Sequence, residues 1–356
     1  MAKKFSFQDS NIPYLGSKKR QSSTLGSFID PVRHKILVSP FAGGCSFELF
    51  AKHKLSMQIL SNDWSLVAHM SQKSLLENNH QKIELNDIYY LFKENKNDGF
   101  TKKNYSKFFT DEVCDFLDTA TENIRRLPES GYKKFLLSHL VVFYMLHISP
   151  YGKMGCTADI RGVRENGLEN TMEEAVRTSD SRASKLLKSM QHPLAILKKL
   201  AERINAGVTN NNKDNPAYFE DAFSFLPKVE RFSNEATLFA DPPYFSSTSY
   251  QMYDPMSEIL LGKKIETEPS VFNGKDVMKW YDKFFQLIEP YDLWLITMGA
   301  RIDEPDAIHS EKFLEMARKH RPKAKLIKFE NFSWSINSLS GKSPKECEEY
   351  LVVAEK

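Results

Sequence analysis

Residues 34–46 read HKILVSPFAGGCS, an apolar run followed by a pair of glycines. The apolar run predicts a buried strand, and Gly43 and Gly44 predict a tight turn after it. Residues 47–51 then begin a helix, and residues 56–60 form a second apolar run. A strand, a glycine turn, a helix and a second strand in this order are typical of parallel α/β sheets.

The second apolar run is followed by an acid, Asp63, which stands 19 residues after Gly44. Such a unit can bind a nucleoside, since glycines let a ligand approach the backbone and the acid accepts hydrogen bonds from ribose hydroxyls. Two adjacent glycines before a helix also occur in turns that bind nothing. The unit therefore predicts part of a fold, and it does not assign a function by itself.

The second distinctive stretch is Asp241-Pro242-Pro243-Tyr244, which directly follows an apolar run at 236–240. This tetrad suits the binding of an exocyclic amine that must accept a methyl group. The amine of adenine is a poor nucleophile, because its lone pair is delocalised into the ring. The carboxylate and a main-chain carbonyl can accept its two hydrogens, the prolines stiffen the turn, and the aromatic ring offers a face on which the base can stack.

With both stretches in this order, the chain resembles the adenine-N6 DNA methyltransferases of the Dam type (D12 class), which use S-adenosylmethionine (SAM). The N-terminal landmark of that family, aromatic-x-Gly-x-Lys, is matched by Tyr14, Gly16 and Lys18. The resemblance implies that the catalytic residues are Asp241, Pro242, Pro243 and Tyr244. It implies that the SAM-binding residues are Tyr14, Lys18, Phe41, Gly43, Asp63, Asp221 and Asp241. For Asp221, the alternative is a helix N-cap.

Two positions depart from the family pattern. Cys45 stands where the third residue of the turn is usually glycine, and a residue with a Cβ adopts positive φ only at a cost. We therefore expect either a turn that does not need the left-handed region or a weaker affinity for the cofactor. Ser39 stands where the family commonly has an acid, which puts in doubt one contact to the charged methionine end of SAM.

We predict an α/β fold, in which a Rossmann-like SAM-dependent methyltransferase sheet has helices on both faces and carries an inserted, mostly helical target-recognition domain. Residues 1–80 and 205–356 are assigned to the catalytic domain, and residues 81–204 to the DNA-binding insertion. The resemblance implies that the last strand of the sheet is antiparallel. The later strands are predicted at 293–297, 326–329 and 350–353.

The insertion contains residues 138–146, which are apolar all round and predict a buried helix. The family has an aromatic-glycine loop after a similar helix, and that loop contacts DNA. The resulting candidates for DNA binding are Tyr151, Lys153, Arg161 and Arg164. An arginine that forks onto guanine would specify the sequence, whereas an arginine that binds phosphate would not.

Composition agrees with an enzyme that acts on nucleic acid. The net charge of the 356 residues is only +3, so contacts to phosphate would come from local basic clusters, at 18–20 and 318–328. The second cluster could equally be a solvated helix end and an edge strand. No apolar run approaches the roughly 20 residues that span a bilayer, and the four cysteines lack the spacing of a zinc site. We expect a cytoplasmic protein that uses no metal.

The mechanism that follows from the resemblance is direct methyl transfer to an adenine that has been flipped out of the duplex. Duplex DNA is the expected partner, and a cognate restriction endonuclease is a further candidate. Cytosine-C5 methylation through a Pro-Cys nucleophile is excluded, because the chain contains no Pro-Cys dipeptide. Methylation of adenine in RNA, methylation of the cytosine amine, and a catalytically weak or inactive DNA-binding protein of the same fold stay open.

Overall fold

The structure, a computed structural model, describes residues 5–14, 16–106, 108–148, 192–243, 253–266, 270–273, 276–301, 310–329 and 347–356. These residues contain one seven-stranded sheet. The strands are β1 (Ile36–Ser39), β2 (Gln58–Asn62), β3 (Ala217–Tyr218), β4 (Ala236–Ala240), β5 (Leu293–Arg301), β6 (Lys325–Lys328) and β7 (Cys347–Glu355).

The strand order is β3-β2-β1-β4-β5-β7-β6. Strands β1 to β5 are parallel to one another, whereas β7 runs antiparallel to both β5 and β6. From the centre, β2 and β3 continue towards one edge and β4 and β5 towards the other. The boundary between β1 and β4 is therefore the topological switch point of the sheet. The predicted α/β sheet with an antiparallel last strand is confirmed.

Twelve helices surround the sheet in the part of the chain that the structure describes. They are α1 (Ser22–Gly26), α2 (Ser46–Lys54), α3 (Leu66–Gln72), α4 (Leu85–Tyr90), α5 (Phe100–Tyr105), α6 (Asp111–Arg125), α7 (Lys133–Ile148), α8 (Pro193–Gly207), α9 (Ala222–Val229), α10 (Asp254–Leu261), α11 (Val277–Ile288) and α12 (Ser310–His320). None of these described helices has the length and apolarity needed to cross a bilayer.

Apolar side chains cover both faces of the sheet, because successive residues of a strand point to opposite sides. On one face, side chains such as Leu37 and Phe239 join the buried cluster formed with α1, α2, α3 and α7. On the other face, side chains such as Leu238 and Trp294 join the cluster formed with α9, α11 and α12. Each fully buried apolar side chain contributes about 1.5–3 kcal/mol. The predicted helices on both faces are therefore confirmed.

The buried helix expected at 138–146 is α7, in which every residue from Leu136 to Leu146 is buried. It packs against α3, α6 and α8. The apolar core is continuous from the sheet through α3 and α7 to α8. The division of the chain at residues 80 and 204 therefore stays a prediction.

A buried lysine joins α2 to the end of α3. The side chain of Lys52 is 1% exposed. Its ammonium donates to the carbonyl oxygens of Leu75, Leu76 and Asn78 at 3.0, 2.7 and 3.0 Å. These carbonyls lie in and just after a single π-helical turn (Lys73–Glu77). The last carbonyls of a helix lack partners within the helix, so the lysine supplies donors that this helix end needs.

Replacing Lys52 by methionine keeps most of the apolar stem and removes three donors. We expect Lys52→Met to lower the free energy of unfolding by about 3 kcal/mol, because buried carbonyls lose their partner. Urea unfolding followed by circular dichroism measures this change. The control is Lys199→Met on the exposed side of α8, which should change stability by less than about 0.5 kcal/mol. Equal stability of the two variants would contradict the assigned role of Lys52.

Candidate active site

An open cleft of about 690 Å³ lies at the carboxyl ends of β1, β2 and β4. This is the switch point of the sheet, where parallel α/β folds bind their ligands. The structure brings together here residues of all three landmarks that the sequence singled out. The lining includes Tyr14, Lys18, Phe41, Gly43, Asp63, Asp221, Asp241 and Pro243. Their roles at the cleft stay predictions.

Five of the predicted functional residues cannot be placed, because they lie outside the described residues. They are Tyr244, Tyr151, Lys153, Arg161 and Arg164. Pro242, which follows Asp241 in the chain, is described and is buried. No group of three or more His, Cys, Asp or Glu side chains in the described ranges has an arrangement that could hold a metal ion.

A buried lysine connects the N-terminal segment to the end of β4. The Nζ atom of Lys18 lies 2.6 Å from Oδ2 of Asp241 and 3.0 Å from Oε1 of Glu349, on β7. It also donates to the carbonyl of Gly16 at 2.7 Å. Burial alone would lower the pKa of Lys18, but the two carboxylates outweigh burial and raise the pKa above its ordinary value. Lys18 is therefore a charged partner of Asp241, and Glu349 holds the ammonium of Lys18 in place.

The second oxygen of Asp241 is held from β5. The hydroxyl of Thr297 donates to Oδ1 of Asp241 at 2.6 Å. Glu349 in turn accepts from Nε2 of Gln21 at 2.8 Å. Each oxygen of Asp241 thus has a donor from the protein, which sets the orientation of the carboxylate. A carboxylate has about four acceptor positions, so an oxygen held in this way can still accept an N–H group from a substrate.

Asp63, which follows β2, connects the end of that strand to the glycine turn by a hydrogen bond. Its two oxygens accept from the backbone N–H groups of Gly43 and Ser65, each at 2.8 Å. Burial raises the pKa of Asp63 to about 6, although these hydrogen bonds act in the opposite direction. The carboxylate is therefore committed partly to the turn, and its remaining surface faces the cleft.

The ring of Tyr14 lies against the glycine turn and explains why two glycines stand there. A Cβ on Gly43, which has φ of +48°, would lie 2.9 Å from Tyr14 Cε1, and a Cβ on Gly44 would lie 2.7 Å from Tyr14 Cβ. The other face of the ring stacks on Tyr253, with centroids 4.5 Å apart. Tyr14 is thus fixed between the turn and Tyr253.

Cys45 adopts the left-handed conformation, with φ 61° and ψ 27°. Of the two alternatives expected for this position, a turn that does not need the left-handed region is therefore wrong. The N–H of Cys45 donates to Ala42 at 2.8 Å, and its carbonyl accepts the first helical bond from Leu49 at 2.9 Å. These bonds and the full burial of the side chain hold a conformation that costs about 1–2 kcal/mol for a residue with a Cβ. The weaker cofactor affinity stays a prediction.

A carboxylate lies at the end of β1 even though Ser39 stands where the family commonly has an acid. Its hydroxyl donates to Oε1 of Glu48, in the first turn of α2, at 2.6 Å. Glu48 is 1% exposed and lines the cleft. Burial raises the pKa of Glu48 to about 8, and the charges of Asp241 and Asp63 act in the same direction. The sequence analysis missed Glu48. The signal for it is a single charged residue within the otherwise apolar stretch FELFA at the start of α2.

Two aromatic side chains that the sequence analysis missed line the cleft beside its acids. Trp64 is 63% exposed and Phe219 is 50% exposed. Large exposed rings in a cleft suit a flat ligand. The signal in the sequence is their position, directly after Asp63 and two residues before Asp221.

The carboxylate of Asp221 accepts from the N–H of Phe223 at 2.8 Å, so the alternative prediction of a helix N-cap is confirmed.

The basic clusters only partly fit contacts to phosphate. Lys18 is buried at the cleft, so it does not belong to a surface cluster with Lys19 and Arg20. In the second cluster, Arg321 is buried and donates to the carbonyls of Glu289 and Tyr291, and Nε of Arg318 donates to the carbonyl of Ala324 at 3.1 Å. Arg318 thus holds the turn between α12 and β6, and Arg321 ties that turn to the segment after α11. Arg321 is committed to these carbonyls, whereas contacts of the other basic residues of this cluster to phosphate stay a prediction.

Comparison with known proteins agrees with this geometry. A family model of D12 class N6 adenine-specific DNA methyltransferases matches residues 14–259, which include every landmark at the cleft. The Type II methyltransferase M2.HphI of Haemophilus parahaemolyticus is 24% identical over 291 residues, which cover 80% of this chain and 82% of that protein. The match of the family model extends over more than half of the chain. This chain therefore belongs to the family of D12 class N6 adenine-specific DNA methyltransferases.

Proposed function

We propose that this adenine-specific DNA methyltransferase transfers a methyl group from SAM to N6 of an adenine within a short duplex sequence, after flipping that base into the cleft. The observation that carries the proposal is the carboxylate of Asp241. It lines the cleft at the switch point, precedes Pro242 and Pro243, and is oriented by Lys18 and Thr297. An oriented acceptor at this position suits an amine substrate.

The residues of the cleft fit SAM. Its carboxylate-rich lining suits a cationic ligand, since Lys18 is the one basic residue among the described lining residues and is paired with Asp241. The glycine turn leaves its backbone accessible, and Trp64 and Phe219 offer flat surfaces beside Asp63. Asp63 would hold the adenosine part, together with the oxygen of Asp221 other than Oδ1, which accepts from the N–H of Phe223 in the helix cap. Bound SAM would supply an electrophilic methyl group on its sulfonium.

The protein's own contribution is to position the amine. The carboxylate of Asp241 and the carbonyl of Pro242 accept the two hydrogens of the adenine amine, which turns its lone pair out of conjugation with the ring. Holding two reactants in such an orientation removes a large entropic part of the barrier. Tyr244 supplies the stacking surface for the base. Flipping costs a few kcal/mol of stacking and pairing, which contacts to the DNA must offset.

The relative M2.HphI is a Type II methyltransferase. We propose the same context for this chain, in which methylation protects a recognition sequence against a cognate restriction endonuclease. The DNA contacts are assigned to Tyr151, Lys153, Arg161 and Arg164, which follow α7 in the sequence.

Expression in a methylation-deficient bacterial strain tests the proposed reaction. Long-read sequencing should find N6-methyladenine at one short sequence motif. Asp241→Ala should lower this methylation by about 100-fold or more, because the amine loses its oriented acceptor. Unmodified DNA in the presence of folded protein would contradict the proposal and would favour an RNA substrate or a binding role.

Gly44→Ala tests whether the turn binds SAM. The new Cβ would lie 2.7 Å from Tyr14 Cβ, so Tyr14, which lines the cleft, must shift. We expect about tenfold weaker SAM binding by calorimetry, which corresponds to about 1.4 kcal/mol.

The control is Gly26→Ala, whose Cβ would lie 2.7 Å from the ring of Phe50, outside the cleft. That variant should lose thermal stability and keep the wild-type affinity for SAM. Unchanged affinity of folded Gly44→Ala would remove the turn from the SAM site.

A further inference from the structure

Glu48 is a buried carboxylate whose observed hydrogen-bond partner is neutral. Its Oε1 accepts from the Ser39 hydroxyl, and among the described residues no Lys, Arg or His forms an ion pair with it. Lys52, one turn further along α2, directs its ammonium to the carbonyls at the end of α3 instead. An ionised carboxylate without a cation is costly to bury. Within the described residues, the fold therefore gives Glu48 no cationic partner.

Helix capping does not explain Glu48 either. A glutamate at the third position of a helix often accepts from the N–H of the N-cap residue. Here the N-cap residue is Cys45, whose N–H donates to the carbonyl of Ala42 at 2.8 Å. Glu48 instead faces the cleft between the ends of β1, β2 and β4, and the charges of Asp63 and Asp241 act on it.

We propose that Glu48 binds the α-ammonium group of the methionine part of SAM. This inference rests on the proposed use of SAM. An ammonium group supplies both a positive charge and hydrogen-bond donors, which the buried carboxylate lacks, whereas a sulfonium supplies charge alone. Ser39 holds Oε1 by its hydroxyl, so the carboxylate reaches the end of β1 from α2 rather than from the strand itself.

The protonation state of Glu48 makes the proposal measurable. Burial raises its pKa to about 8, so in neutral solution the empty site holds a proton on Glu48. An ammonium group binds the carboxylate form, so binding releases this proton. Affinity should therefore rise with pH by up to tenfold per unit below about pH 8. Above that pH the rise should stop, because Glu48 is then ionised and the ammonium group of the ligand begins to lose its own proton.

The effects of other titratable groups must be separated from that of Glu48. The charges of Asp63, at the end of β2, and Asp241, at the end of β4, act on Glu48. Lys18 lines the same cleft, and the thiol of Cys45 lies at the start of α2 with its pKa raised by burial. Burial raises the pKa of Asp63 to about 6, so its own effect belongs to a lower pH range. A variant of Glu48 that keeps all four groups isolates its contribution.

The test uses Glu48→Gln, which resembles the protonated side chain of the empty site and should fold normally. The ligands are S-adenosylhomocysteine, which keeps the ammonium but has no sulfonium, and methylthioadenosine, which has neither. Glu48→Gln should bind S-adenosylhomocysteine about 10- to 100-fold more weakly than wild type and bind methylthioadenosine equally well. Calorimetry near pH 7 in two buffers of different ionisation enthalpy should show proton release in wild type that Glu48→Gln lacks.

The matched control is Glu220→Gln, which removes a carboxylate that also lines the cleft but pairs with Lys228. It should keep the wild-type affinity and proton release. Unchanged affinity and proton release in Glu48→Gln would overturn the assignment of Glu48 while leaving SAM binding intact.

Failure of wild type to bind either SAM or S-adenosylhomocysteine would instead overturn the proposed function together with this inference. If Glu48→Gln did not fold, wild type alone decides: proton release with S-adenosylhomocysteine but not with methylthioadenosine supports the proposal, and equal release with both overturns it.

Discussion

The contact between the ammonium of Lys18 and the carboxylate of Asp241 is the interaction on which this site depends. The two residues are 223 positions apart in the chain, and their charged atoms lie 2.6 Å apart. A lysine that is 3% exposed needs counter-charges, and Glu349 on β7 supplies the second one. The N-terminal segment is therefore tied across the end of the sheet, which places the ring of Tyr14 on the glycine turn.

Two of the carboxylates that line the cleft, Asp241 and Glu48, are in opposite electrostatic situations. Asp241 is paired with a cation and held by Lys18 and Thr297, which suits an acceptor that must keep one orientation. Glu48 accepts from the Ser39 hydroxyl and has no ion pair among the described residues, which suits a group that awaits a cation. In the proposed mechanism, Asp241 therefore binds the neutral amine and Glu48 binds the cationic cofactor, because the protein pairs the first carboxylate with a cation and gives the second no ion pair among the described residues.

Local patterns in the sequence predicted the strands well and the tertiary contacts poorly. The run at 236–240 coincides with β4, because apolar residues end there at an acid and two prolines. The contacts of Thr297 and Glu349 with the site depend on which strands are neighbours, which no local pattern contains. Lys18 was read partly as a phosphate ligand, since its burial comes only from tertiary packing. Cys45 was misjudged because backbone bonds override its intrinsic preference.

The central claim is that Lys18 orients the carboxylate of Asp241, and the rate of single-turnover methyl transfer in Lys18→Met tests it most directly. The account predicts a rate about 100-fold or more below wild type, because the carboxylate loses the donor that Lys18 supplies at 2.6 Å. Lys19→Met, which alters an exposed pair with Asp9, should keep the wild-type rate. A folded Lys18→Met enzyme with the wild-type rate would contradict the account.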